Sequence, residues 1–156
     1  MHERTIRLLE FDKILEQLKR FTSFSVGQER AAALRPTDDI RLAREWQAET
    51  REARQLLAEK SDIFLGGVHD LRPLLEQARR GSPLLPVDLL GVRYTLQRGR
   101  ALKNAIRRVA DRFPHIADVA ERIDAPAAVI EEIGRCIDER GEVLDSASDA
   151  LARIRR

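Results

Sequence analysis

The chain has 156 residues, 43% hydrophobic and 35% charged, with 8 Gly, 6 Pro, one Cys and a formal charge of +2. That balance is too apolar for a disordered tail and too charged for a membrane protein, and the length suits a single domain with a core of its own. Cys136 alone cannot form an internal disulfide, and no long apolar run follows Met1, His2, Glu3 and Arg4, so a cytoplasmic protein without a signal peptide is expected.

The first periodic run, 5–20, places Ile6, Leu9, Ile14, Leu15 and Leu18 at helical spacings, and Ser25 offers a cap for a second, shorter helix that ends before Pro36. Thr37, Asp38 and Asp39 supply capping and acidic residues ahead of a long helix reaching about Lys60. Its apolar seam, Ala43, Trp46, Thr50, Ala53 and Leu57, has the three-four spacing of a coiled-coil stripe and is expected to pack on a neighbour. Arg41, Arg44, Glu45, Glu49, Arg51, Glu52 and Arg54 then form a solvated charged surface.

Residues 61–67, ending in Gly66-Gly67, form a loop, after which Asp70 is placed to cap a short helix to about Arg80. Gly81, Pro83 and Pro86 break the chain before a second long helix, 87–112. On a wheel of about 100° per residue, Val87, Leu90, Tyr94, Ala101, Ala105 and Val109 of that helix share one face. Pro114 and Pro126 start two further short helices. The one plausible strand pair is 135–138 with 142–145, turned through Arg140 and Gly141. Ser146 with Asp149 resembles a capping box for a last helix with an apolar face of Ala147, Ala150, Leu151 and Ile154. That helix has no Gly, Asn or Pro to stop it, so the natural chain is expected to continue. The expected fold is all-α, a multi-helix bundle with two long helices and at most one short β-hairpin near Gly141.

The sequence carries no recognisable catalytic constellation. No lysine follows a glycine, so no P-loop is present, and Gly66-Gly67 is loop geometry. His2, His69 and His115 are scattered and Cys136 has no C-x-x-C partner, which leaves no metal spacing; a small buried thiol is the expectation for Cys136. His69-Asp70 lacks a nucleophile elbow, while Glu131-Glu132 and Asp38-Asp39 are expected in first helical turns. Charge is the informative feature. From 72 to 112 there are ten basic residues against three acidic, a local charge of +7. Arg93, Arg100, Lys103 and Arg107 lie opposite the apolar face of the second long helix, and such a stripe can neutralise phosphates, so these four are the candidate nucleic-acid-binding residues.

Three blocks carry a family resemblance: Leu9-Glu10-Phe11-Asp12-Lys13-Ile14-Leu15; Phe64-Leu65-Gly66-Gly67-Val68 with Asp70, Arg72, Pro73 and Leu74; and Ile137-Asp138-Glu139-Arg140-Gly141-Glu142-Val143-Leu144-Asp145-Ser146-Ala147-Ser148 with Leu151, Ile154 and Arg155. In this order they resemble the N-terminal core and lever region of the bacterial MutS paralogues that end in an Smr nuclease domain, the MutS-two family. The resemblance implies that residues 1–156 are one helical core and lever domain, with the clamp, ATPase and Smr domains elsewhere. It also implies ATP and Mg bound by the ATPase domain, homodimerisation through that domain, and branched DNA or collided ribosomes as partners, with suppression of recombination and ribosome splitting as the outcomes. No stretch here matches the family's ATP motif or nuclease residues, so no catalytic, cofactor or metal residue is assigned. The other reading is a free-standing helical adaptor that docks a partner on helix 39–60.

Overall fold

A computed structural model describes residues 8–59, 63 and 66–155. Among the described residues eight helices follow in order: α1 Phe11–Lys19, α2 Ser25–Ala33, α3 Ile40–Glu59, α4 Arg72–Arg79, α5 Pro86–Arg107, α6 Pro114–Glu121, α7 Ala127–Cys136 and, after a 3-10 turn at Asp145–Ala147, α8 Asp149–Ile154. The fold is all-α, and α3 and α5, of 20 and 22 residues, are its two long helices. No described helix is long and apolar enough to cross a membrane.

The core has two parts that share α5. Leu56 of α3, Ile106 of α5, Phe113 between α5 and α6, and Ala120 of α6 form the first, flanked by Leu102, Val109, Ile116 and Ile123. Leu90 of α5 with Ile133 and Ile137 at the end of α7 form the second. Because α6 covers one end of α5 and α7 the other, the buried line on α5 winds around the helix. A single-face reading therefore misses it: Leu90 is buried as expected, but Val87, Tyr94 and Ala101 are exposed.

Helix α5 also stops at Arg107, five residues before the expected Arg112. Phe113 explains the stop. The ring is 2% exposed, and the backbone reaches it through tight turns in which Val109 N–H donates to Ile106 O and Arg112 N–H to Val109 O, at 3.0 Å each. Pro114 then disfavours a helical conformation at Phe113 and supplies the first turn of α6.

Other boundaries are corrected in the same way. The expected run 5–20 lies partly outside the described residues, and Glu10 in the left-handed region (φ 50°) precedes a helix that begins at Phe11. Ser25 does not cap α2, whose N-cap is Phe24; its hydroxyl donates to Asp70 Oδ2 instead. Asp39 does cap α3, accepting N–H of Arg41 at 2.8 Å and of Leu42 at 3.3 Å. Lys60 and residues 61, 62, 64 and 65 of the expected loop lie outside the described residues, as does His2.

The expected strand pair is reduced to one antiparallel bridge, Ile137 with Val143, because Arg135 and Cys136 belong to α7. Between the bridged residues, Asp138 Oδ1 accepts N–H of Arg140 and of Glu142, and Gly141 takes the positive φ (82°) that closes the turn. Cys136 is half-buried rather than buried, its Sγ 3.7 Å from Glu132 Oε1. Glu131 and Glu132 lie past the first turn of α7, and Glu132 pairs with Arg135. Ser148 rather than Ser146 caps α8, accepting N–H of Leu151 at 3.2 Å, while the Ser146 hydroxyl donates to Arg135 O at 2.6 Å.

Candidate nucleic-acid interface

Four cations on α5 form the candidate interface, and the structure gives each a different setting. Arg100 is exposed. Arg93 lies at the α5–α7 contact, with its guanidinium in the space a side chain at Gly134 would take: a Cβ at position 134 would stand 3.0 Å from Arg93 Cζ and Nη2. Its Nε is buried without a hydrogen-bond partner. Only glycine permits this approach without displacing the guanidinium.

Lys103 and Arg107 converge on the end of α6. Lys103 Nζ donates to Glu121 O at 2.7 Å and Ile123 O at 3.0 Å, where a cation meets the negative end of a helix dipole. Arg107 grips the Glu121 carboxylate with two hydrogen bonds, Nε to Oε1 at 2.5 Å and Nη2 to Oε2 at 2.8 Å. These contacts, those of Arg107 foremost, pull the Glu121 pKa down to about 2. One carboxylate and two carbonyls thus occupy two of the four candidate cations, so that the four do not form a continuous free stripe.

Sequence reasoning missed two polar ties beside this surface. Glu52, assigned to the solvated face of α3, is turned inward, with 13% of its side chain exposed. Its Oε1 lies 2.6 Å from His115 Nδ1 and its Oε2 accepts N–H of Ile116 at 3.1 Å, which fastens α3 to the first turn of α6. Burial works to raise the Glu52 pKa and is the largest single influence, but the bonds from His115 and Ile116 together outweigh it and the pKa is lowered. The same bond to Glu52 raises that of His115.

The second tie joins α2 to α4. Arg72 reaches Glu29 with Nη1 and Nη2, both at 2.7 Å, and Asp70 with Nε and Nη2, while Ser25 completes the Asp70 carboxylate. Hydrogen bonds from Arg72 hold both carboxyls below their ordinary values. Asp70 also accepts N–H of Arg72, so the expected capping bond exists, although the N-cap of α4 is Leu71. Local spacing reveals the Asp70-x-Arg72 turn, whereas nothing local announces Glu29, 43 positions away.

Asp70, Arg72, Asp138 and Gly141, which form the inter-helix tie and the turn after α7, also belong to the blocks that carry the family resemblance. No family model matches the chain. Whole-length relatives do. The protein "Endonuclease MutS2" of Geobacillus sp. (strain WCH70) is 40% identical over 159 residues, covering 100% of this chain and 20% of that protein. Those of Symbiobacterium thermophilum and Geobacillus thermodenitrificans are 42% and 39% identical over 100% and 99% of the chain. The chain is a MutS2-family sequence. It spans about a fifth of the length of the MutS2 relatives it matches. Among the described residues no group of three His, Cys, Asp or Glu side chains is placed to hold a metal ion.

Proposed function

We propose that this chain is the helical core and lever-start region of a MutS2-type ATPase, a part that carries movement between an ATPase dimer and a clamp acting on branched DNA or collided ribosomes. The observation that carries the reading is the end-to-end match to MutS2 proteins of which the chain is only a fifth. A part that transmits force needs helices braced against each other, and α5 is braced by core contacts to α6 and α7 and by the Lys103–Glu121–Arg107 cluster.

ATP and Mg do not fit the residues present. A phosphate cradle needs G-x-x-x-x-G-K-[ST], which is absent, so no step of ATP chemistry is assigned to this chain. Any phosphate contact by the stripe of Arg93, Arg100, Lys103 and Arg107 would fall chiefly to the exposed Arg100, since Lys103 and Arg107 are engaged at the end of α6. Lys103 and Arg107 serve the α5–α6 joint.

The reading frame that contains the chain provides the test. A P-loop and an Smr domain after Arg156, with ATP-dependent binding of a four-way DNA junction or a collided disome by the encoded protein, support the proposal. A frame without a P-loop overturns it in favour of the free-standing adaptor. The chain alone should show no ATP turnover above a buffer blank.

A further inference from the structure

The seam that sequence periodicity assigns to the packed face of α3 is not the face that packs. Leu56 is 3% exposed in the core, whereas Trp46 and Leu57 are 39% and 51% exposed. Ala43, Trp46 and Thr50 instead line a groove of about 610 Å³ between α3, the start of α1 and the segment after α2, with Phe11, Leu34 and Pro36 on its other wall. From Ala43 to Arg54 this groove follows α3 for about three turns, and its three-four spacing is that of a helix-accepting seam.

Charge around the groove is segregated. Among the described residues, Arg35, Arg51 and Arg54 are in its lining and no carboxylate is. At about 100° per residue, Arg51 and Arg54 lie within about 90° of Ala43, while Glu45, Glu49, Glu52 and Glu59 lie at least about 120° away. Two of those carboxylates are committed elsewhere, Glu52 to His115 and Glu59 to Arg112. Arg51 and Arg54 are exposed and have no carboxylate partner among the described residues.

We propose that this groove is the docking site for an amphipathic helix with an apolar seam and acidic flanks. The apolar floor takes the seam, and Arg35, Arg51 and Arg54 take the carboxylates on its edges. A second copy of the same face is a poor occupant, because an isologous contact would bring two arginine-rimmed faces together with no carboxylate to offset them. A phosphate backbone would leave the floor of Phe11, Leu34, Pro36 and Trp46 without a partner. The inference is independent of the ATPase reading.

Trp46 is the only tryptophan, so its fluorescence reports this groove directly. The 156-residue chain is titrated with two synthetic amphipathic helices that share a leucine seam, one flanked by glutamates and the other by lysines. The glutamate helix should shift Trp46 emission to shorter wavelength and protect it from acrylamide, with affinity falling as salt rises. The lysine helix should bind at least about tenfold more weakly. Arg51→Glu with Arg54→Glu should reverse that preference, and the Gln pair should abolish it, circular dichroism showing that both variants keep their helices.

Several outcomes overturn the proposal: equal binding of the two helices, a charge-reversed variant that still prefers the glutamate helix, or Trp46 already shielded from acrylamide in the free chain. A blue shift that grows with protein concentration alone would name a second copy as the occupant. The same shift on adding single-stranded DNA, but not the glutamate helix, would name nucleic acid. Either result rejects the acidic helix.

Discussion

The two halves of the molecule are held together by different physics. From α5 onward the helices meet over buried Leu90, Ile106, Phe113, Ala120, Ile130, Ile133 and Ile137. Between α2 and α4 the join is an exposed charge cluster, Glu29–Arg72–Asp70–Ser25, and the buried hydrophobic residue of α2 is a single small one, Ala31. Burial is non-directional and insensitive to salt, whereas exposed ion pairs fix direction and are screened. The helices from α5 onward, with α3 packed on them through Leu56, should therefore behave as the stable frame, and α2 and α4 as parts oriented on each other by charge.

The sharpest way to break that contrast is to remove the ring at the centre of the frame. Phe113→Ala should cost about 3–5 kcal/mol, a large share of the stability of a domain this size. Urea unfolding gives the number directly. A loss below about 1 kcal/mol would show that the α3–α5–α6 core is not what holds the fold. Arg72→Gln should do less. It removes the bonds to Glu29 and part of those to Asp70, so its effect on melting should be visible at low salt and shrink as salt is added, while that of Phe113→Ala should stay constant. A salt-independent loss at Arg72 would mean that the α2–α4 join depends on packing.

Glu52–His115 lies between these extremes, an ion pair set against the core. His115 has a raised pKa, so its contribution is full below the ordinary value of 6.5 and is lost as pH rises through the folded value. Glu52 has a lowered pKa, so its contribution is full above 4.5 and is lost as pH falls through its folded value. Together they stabilise most between 4.5 and 6.5. His115→Gln should accordingly melt lowest relative to the parent in that window, and the gap should narrow at alkaline pH, where the parent histidine is neutral. A gap that stays constant or widens with pH would show that the histidine acts through its shape alone.

These ties also mark how far the residues could be read in advance. Helix identities and most starts were legible because caps and prolines act locally: Asp39 caps α3, and Pro114 opens α6. Faces were legible only where one neighbour covers one side. On α3 the periodic seam and the buried face differ, since Glu52 can be turned inward only because His115, 63 positions later, meets it. On α5 the stripe of Arg93, Arg100, Lys103 and Arg107 was readable as a line of cations, but the carboxylate that occupies two of them, Glu121, belongs to another helix. Long-range pairing of this kind leaves no mark on the spacing of either partner.

The smallest expected effect is also the one that separates the bracing role of α5 from the phosphate contact proposed for it. Gly134→Ala gains helix propensity, up to about 1 kcal/mol for a glycine replaced within a helix. Against this, the new methyl would stand 3.0 Å from Arg93 Cζ and Nη2 and 3.2 Å from Nε, too close for the guanidinium to stay. The guanidinium is the far end of a flexible side chain, and its buried Nε has no partner to lose, so moving it outward is cheap and returns an unpaired donor to water. The variant should be as stable as the parent or gain up to about 1 kcal/mol, with Arg93 now alongside Arg100 on the open surface. If phosphate contact on α5 matters, low-salt binding of DNA or RNA by the Ala variant should rise while its melting temperature holds or climbs. A destabilised variant would show instead that the guanidinium packed on Gly134 is a brace between α5 and α7, and that Arg93 belongs to the frame.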